Sequence, residues 1–169
     1  AHRRLMRVQW GLPPQPESFD HQIDLFYLWW KSRDPQWVER GVYGALCLKV
    51  GKVLDLCCGD GFNSRNFYSL ASESVVGCDF DPLILKTARR KNRAPNVSFV
   101  QADIRTDMPD GPFDNIAWDA AIEHFTPKEI AAILHSIRIR LRSEGVLSGY
   151  TVVERGPGQH HLSHHEYEF

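Results

Sequence analysis

The chain has 169 residues, a size at which a single hydrophobic core is the ordinary outcome. Its 43% hydrophobic and 24% charged residues are those of a soluble globular domain, and a formal charge of −1 gives no basic footprint for nucleic acid. No apolar run reaches the length of a membrane span, nothing has the layout of a signal peptide, and Cys47, Cys57, Cys58 and Cys78 form neither a disulfide framework nor a zinc spacing, so a reducing, cytoplasmic setting is expected.

Residues 1–16 carry His2-Arg3-Arg4 and Pro13-Pro14-Gln15-Pro16 with little periodicity, and read as an irregular lead-in. From Ser18, Phe19, Ile23, Phe26, Tyr27 and Trp30 recur at three- and four-residue spacings, the mark of an amphipathic helix. Pro35 opens a second helix carrying Trp37, Val38, Val42, Leu46 and Leu48. The aromatic set Tyr27, Trp29, Trp30, Trp37 and Tyr43 has two readings: packing against the sheet, or lining a pocket.

Val53-Leu54-Asp55-Leu56 then reads as a short buried strand that runs into Cys57-Cys58-Gly59-Asp60-Gly61. Gly59 and Gly61 let the turn take positive φ and admit a ligand against bare backbone. With a helix over Phe62–Ala71 behind it, the segment has the layout of a nucleotide site at the carboxyl end of a parallel strand. Asp55 in the strand and Asp60 in the loop would repel a pyrophosphate, which seeks amide N–H groups and a positive helix end. They suit an adenosine ligand bearing an ammonium and a sulfonium.

Val75–Asp79 is a second strand ending in an acid about twenty residues beyond the glycines, the spacing at which such folds offer a carboxylate to ribose hydroxyls. Asp81-Pro82 caps a helix to about Lys91. The cations Lys86, Arg89, Arg90, Lys91 and Arg93, and later Arg138, Arg140 and Arg142, read as solvated faces or C-terminal turns of helices. Asn96–Ala102 is a third strand with Asp103 at its end, and residues 107–112 are turn chemistry. Phe113–Trp118 is the fourth strand, followed by Asp119-Ala120-Ala121-Ile122-Glu123-His124. Thr126-Pro127-Lys128-Glu129 is a capping box for a helix through Leu141; Gly145 ends the turn, and Val146–Val153 is the fifth strand.

These four stretches, in this order, resemble the motifs of class I S-adenosylmethionine-dependent methyltransferases across residues 53–153. Cys57 stands where that family most often has its first glycine, and Asp81 where a serine is common. The resemblance implies a doubly wound parallel α/β sheet in the order 3-2-1-4-5 with helices on both faces. It implies a core over residues 51–169 and a helical extension or lid over residues 1–50. It implies S-adenosylmethionine as cofactor and S-adenosylhomocysteine as product, held by Asp55, Cys57, Gly59, Gly61, Asp79 (ribose), Phe80, Asp103 and Ile104 (adenine), and Asp119 and Ala120 (methionine). Methyl transfer to a small nucleophilic acceptor follows, with His124 as the imidazole placed for a proton; the other reading makes Glu123-His124 a structural pair.

The usual fold continues with a helix and two antiparallel strands, whereas residues 154–169 hold Gly156-Pro157-Gly158 and four histidines in no metal-ligand pattern. The chain therefore reads as cut after its fifth strand, which would leave an open edge for self-association. A non-catalytic cofactor-binding protein or an inactive truncated enzyme is the alternative function. A nicotinamide enzyme lacks its G-x-G-x-x-G here.

Overall fold

The computed structural model describes residues 36–152 and Gly156. The helix expected from Ser18, the tail histidines and the side chains of Trp37 and Val38 lie outside this set.

Five strands, β1 (Lys52–Leu56), β2 (Ser74–Asp79), β3 (Val97–Gln101), β4 (Phe113–Trp118) and β5 (Leu141–Ser148), form one sheet in the order β3-β2-β1-β4-β5. Every neighbouring pair is parallel, as the doubly wound reading requires. Helix α1 (Gln36–Leu46) precedes β1, α2 (residues 64–71) follows it, α3 (Pro82–Lys91) follows β2, and α4 (Pro127–Arg140) joins β4 to β5. The central strands of a parallel sheet are covered on both faces and are mostly apolar, whereas the edge strands β3 and β5 are exposed or half-buried here. Val53, Leu54 and Leu56 have no exposed surface. Alternation then sorts the core. Leu54, Leu56, Cys78, Ile116 and Trp118 pack with Ile133 and Ile137 of α4 on one face. Val53, Val75 and Ala117 pack with Tyr68 of α2 on the other. Asp55, in phase with Val53, falls on the α2 side.

The helix starts follow their caps. Asp81 Oδ1 accepts from Leu83 N at 2.7 Å with Pro82 next to it, and Thr126 and Glu129 form the reciprocal capping box. Two expectations change. The fifth strand begins at Leu141, paired with Phe113, and the register then shifts so that Val146 pairs with Asn115. Residues 142–145 bulge from the ladder, where Arg142 pairs with Asp114 at 3.0 Å and Gly145 folds back so closely that a Cβ would sit 2.9 Å from Leu141. Among its described side chains, helix α1 leaves the large apolar ones exposed. Tyr43 is 62% and Leu46 73% exposed, because the helix meets α2 through Gly41 and Gly44, whose missing side chains make room for the rings of Phe67 and Tyr68. Arg89 and Arg140 stand in the last turns of α3 and α4, as the sequence suggested. Arg140 Nε donates to the Met108 and Pro109 carbonyls at 3.1 and 2.9 Å, and Arg89 Nη2 to Phe99 O at 2.9 Å, so each ties a helix C-terminus to a loop or strand.

Candidate functional site

The order β3-β2-β1-β4-β5 places the reversal of strand order between β1 and β4, and that crevice is where doubly wound folds bind ligands. Both strands end there in strained backbone. Cys57 after β1 has φ 55° and Ala120 after β4 has φ 49°, a region in which a residue with a Cβ costs about 1–2 kcal/mol. Hydrogen bonds hold each in place. Cys58 N donates to Cys78 O at 2.9 Å, Gly61 N to Cys58 O at 2.9 Å, and Ala120 N to Tyr150 O at 2.7 Å. Gly59 (φ 55°) and Gly61 (φ 75°) take positive φ as their identity suggested. At Gly61, however, the absent Cβ makes room for the Phe99 ring, so this glycine serves strand–helix packing.

Carboxylates from successive strands gather at this edge. Asp55 is 3% exposed and accepts from Ser64 Oγ at 2.5 Å. Burial pushes its pKa up to about 7 against the pull of that hydroxyl, and the charges of Asp119 and Asp79 add to the rise. Asp79 Oδ2 accepts from Gly59 N and its Oδ1 from Asp81 N, both at 3.0 Å; burial still raises its pKa. Asp119 is raised by burial, with Arg40 opposing and Glu123 reinforcing. Cys57 lies within the field of Asp79, Asp55 and Asp103, and burial holds its thiol protonated. Asp103 differs. It is partly exposed and grips Arg105 with both oxygens, 2.7–3.1 Å away, which lowers its pKa.

The remaining sequence-derived candidates fall into two groups. Phe80 is 66% exposed beside Asp79 and offers an apolar face, whereas Ile104 is buried in the core. His124 is exposed on a single 3-10 turn, Ile122–His124, while neighbouring Glu123 is buried and accepts from Thr151 Oγ1 at 3.2 Å. Asp60, expected to face the ligand, is wholly buried; its Oδ1 accepts from Phe62 N at 3.1 Å, so it serves the helix start. No metal-ligating cluster occurs among the described residues, and no helix among them is long and apolar enough to cross a membrane.

Sequence reasoning passed over Asn63, Ser64, Arg40 and Tyr150. Ser64 opens a π-helical segment, Ser64–Tyr68, a local widening that often marks functional sites. Asn63 Nδ2 donates to Asp119 Oδ2 at 3.0 Å, and Arg40 Nε lies 3.0 Å from the same oxygen with its guanidinium 5.1 Å from the Tyr150 ring centre. Position directly behind the glycine turn was the signal for Asn63 and Ser64. Arg40 and Tyr150 carried none, because their partners are distant in sequence.

A strained, acid-lined crevice at the switch point of a parallel sheet defines a nucleotide-type site in a doubly wound protein. The sequence model described as "Methyltransferase domain" matches residues 53–145, more than half of the chain, and the chain belongs to that family. It is 31% identical over 99 residues to an uncharacterized methyltransferase of Synechocystis, covering 57% of this chain and 45% of that protein. It is 42% identical over 79 residues to a demethylmenaquinone methyltransferase of Paenarthrobacter aurescens, covering 45% of this chain and 30% of that one. The chain thus spans less than half the length of these curated relatives. The solved DhpI–SAH complex superposes with a TM-score of 0.64 at 22% identity, over 89% of this chain and 67% of that one, which is a likeness of fold.

Proposed function

We propose that the protein transfers a methyl group from S-adenosylmethionine to a nucleophilic small molecule. The observation that carries this reading is the set of buried carboxylates Asp55, Asp79 and Asp119, each raised in pKa by desolvation. Their ionised forms gain from a ligand with an ammonium and a sulfonium, and lose from one with a pyrophosphate. The residues fit the adenosyl ligand. Asp79 accepts backbone N–H groups on both oxygens, and the ribose hydroxyls are assigned to the same carboxylate. The exposed ring of Phe80 offers adenine a face, with Asp103 for its amino group and Ile104 behind. Cys57, Gly59 and Gly61 form the turn, and Asp55, Asp119 and Ala120 meet the amino-acid end.

S-adenosylmethionine supplies, when bound, an electrophilic methyl group on a sulfonium leaving group. The chain's own work is alignment: the strand ends hold the donor in one pose, so that encounter entropy is lost before reaction. His124 takes a proton from an acceptor too weakly nucleophilic to react unaided. Glu123, buried against Thr151, serves structure instead. A small acceptor is supported by the relative named for demethylmenaquinone. The same reading makes residues 1–50 a lid over a core of residues 51–169, and has the edge strand β5 pair two copies.

Calorimetric titration with S-adenosylmethionine, S-adenosylhomocysteine and NADH tests the cofactor. Binding of the first two alone is expected; binding of NADH in their place would refute the reading. Methyl transfer is then assayed over a panel of small acceptors. His124→Ala is expected to lose turnover while keeping S-adenosylhomocysteine affinity, and binding without transfer to any acceptor would favour a non-catalytic role.

A further inference from the structure

Arg40 and Tyr150 both lie outside residues 53–145, the stretch that matches the family, yet they meet at the end of β4. Arg40 stands on α1, Asn63 heads α2, and Asp119 follows β4. Arg40 and Asn63 approach the same carboxylate oxygen of Asp119, Oδ2, each at 3.0 Å. No described residue bonds Oδ1. The carboxylate is thereby held by one edge, and among the described residues Oδ1 remains as an acceptor. Tyr150 completes the clasp: its ring lies against the Arg40 guanidinium, and its carbonyl accepts from the strained Ala120 N–H. The side chains of Arg40 and Asp119 are 16% and 10% exposed, so the pair sits where charge is weakly screened.

We propose that Arg40 is a positioning residue, which holds Asp119 ionised and turned so that Oδ1 receives the ligand's amino group. The inference rests on the adenosyl-ligand reading above and adds to it that α1 belongs to the binding site. Without Arg40, Asp119 would face Glu123 of the 3-10 turn, Asp55 of β1 and Tyr68 of α2 with the Asn63 amide as its side-chain partner among the described residues. A carboxylate in that company takes up a proton and ceases to attract a cation. Lysine would keep the charge and lose the planar stacking on Tyr150.

The test is a double-mutant cycle of Arg40→Met and Asp119→Asn, read by calorimetric titration with S-adenosylhomocysteine across a series of pH values. Each single variant is expected to weaken binding about tenfold or more, and the double variant no further than Asp119→Asn alone. In Arg40→Met the binding midpoint should move to higher pH, and Arg40→Lys should recover part of the loss. Parent-like affinity and pH profile in Arg40→Met, or losses that simply multiply in the double variant, would overturn the proposal. If the parent binds no S-adenosylhomocysteine, the adenosyl reading fails, and NMR titration of the Asp119 carboxyl carbon decides the role of Arg40 separately. A higher midpoint in Arg40→Met upholds the positioning role, and an unchanged midpoint removes it. Should Arg40→Met not fold, Arg40→Lys and Tyr150→Leu carry the same titration.

Discussion

Asp79 Oδ2 accepts from the backbone N–H of Gly59 at 3.0 Å, a bond that spans 20 residues and fastens the glycine turn after β1 to the acid that ends β2. The same carboxylate accepts from Asp81 N on its other oxygen, so one side chain shapes both loops of the crevice. Asp79→Ala leaves the Gly59 N–H buried without that partner, at a cost of about 1–3 kcal/mol, and removes the acceptor assigned to the ribose. Urea denaturation should register the loss of stability, and titration with S-adenosylhomocysteine should find no binding. Asp79→Asn keeps one carbonyl acceptor and should lie between parent and alanine variant in stability.

Asp55 makes stability and ligand binding run in opposite directions with pH. Its pKa in the folded chain is raised to about 7 from 3.8, chiefly by burial, so the folded state holds the proton more tightly than the unfolded state. The stability this confers is fully present below 3.8 and is lost as pH rises through about 7. Asp55→Asn never ionises and keeps an oxygen for Ser64. It should therefore be more stable than the parent at pH 8, by a margin on the order of 2 kcal/mol that shrinks as pH falls. Urea melts of both chains at several pH values test this, and a margin that stays constant would contradict it. Affinity of the parent for S-adenosylmethionine should rise over the same interval, since the cation needs the ionised acid.

The glycine turn gives two substitutions of opposite sign. Cys57, at φ 55°, occupies a conformation natural to glycine. Cys57→Gly should stabilise the chain by up to about 1 kcal/mol, the relief of strain being partly offset by the greater freedom of the unfolded glycine. Gly61→Ala should instead cost about 2–4 kcal/mol, from positive φ and from overlap with a packed ring. The new Cβ would overlap Phe99 and sit 3.3 Å from Ala88 Cβ. Thermal melts of the two variants should move in opposite directions from the parent.

Much of this protein was legible before any tertiary contact was known, wherever the deciding interaction is local. The β4 bounds Phe113–Trp118, the Asp81 cap and the Thr126/Glu129 capping box depend on residues a few positions apart, and each stands as read. The sheet order followed from the run of strands, each ending in an acid, together with the family's motifs. What depended on distant partners was not legible. Asp60 is buried where its carbonyl accepts from Asn92 Nδ2 at 2.7 Å, and Gly61 is glycine because Phe99 needs its space, although both stand in a loop that reads as wholly for ligand. The late start of regular pairing in β5 reflects a bulge that sequence periodicity does not register.

The sequence by itself determined the fold class, the family and the row of acids, since alternation, capping and strand-end carboxylates are written in short windows. Only the tertiary structure decided which acids are buried, and so which are raised in pKa and which, like Asp103, are neutralised by an adjacent arginine. It also brought Arg40 and Tyr150, 110 positions apart in the numbering of the chain, into contact at the same strand end. Desolvation and ion pairing depend on what surrounds a group in space, and that is settled when helices and strands pack.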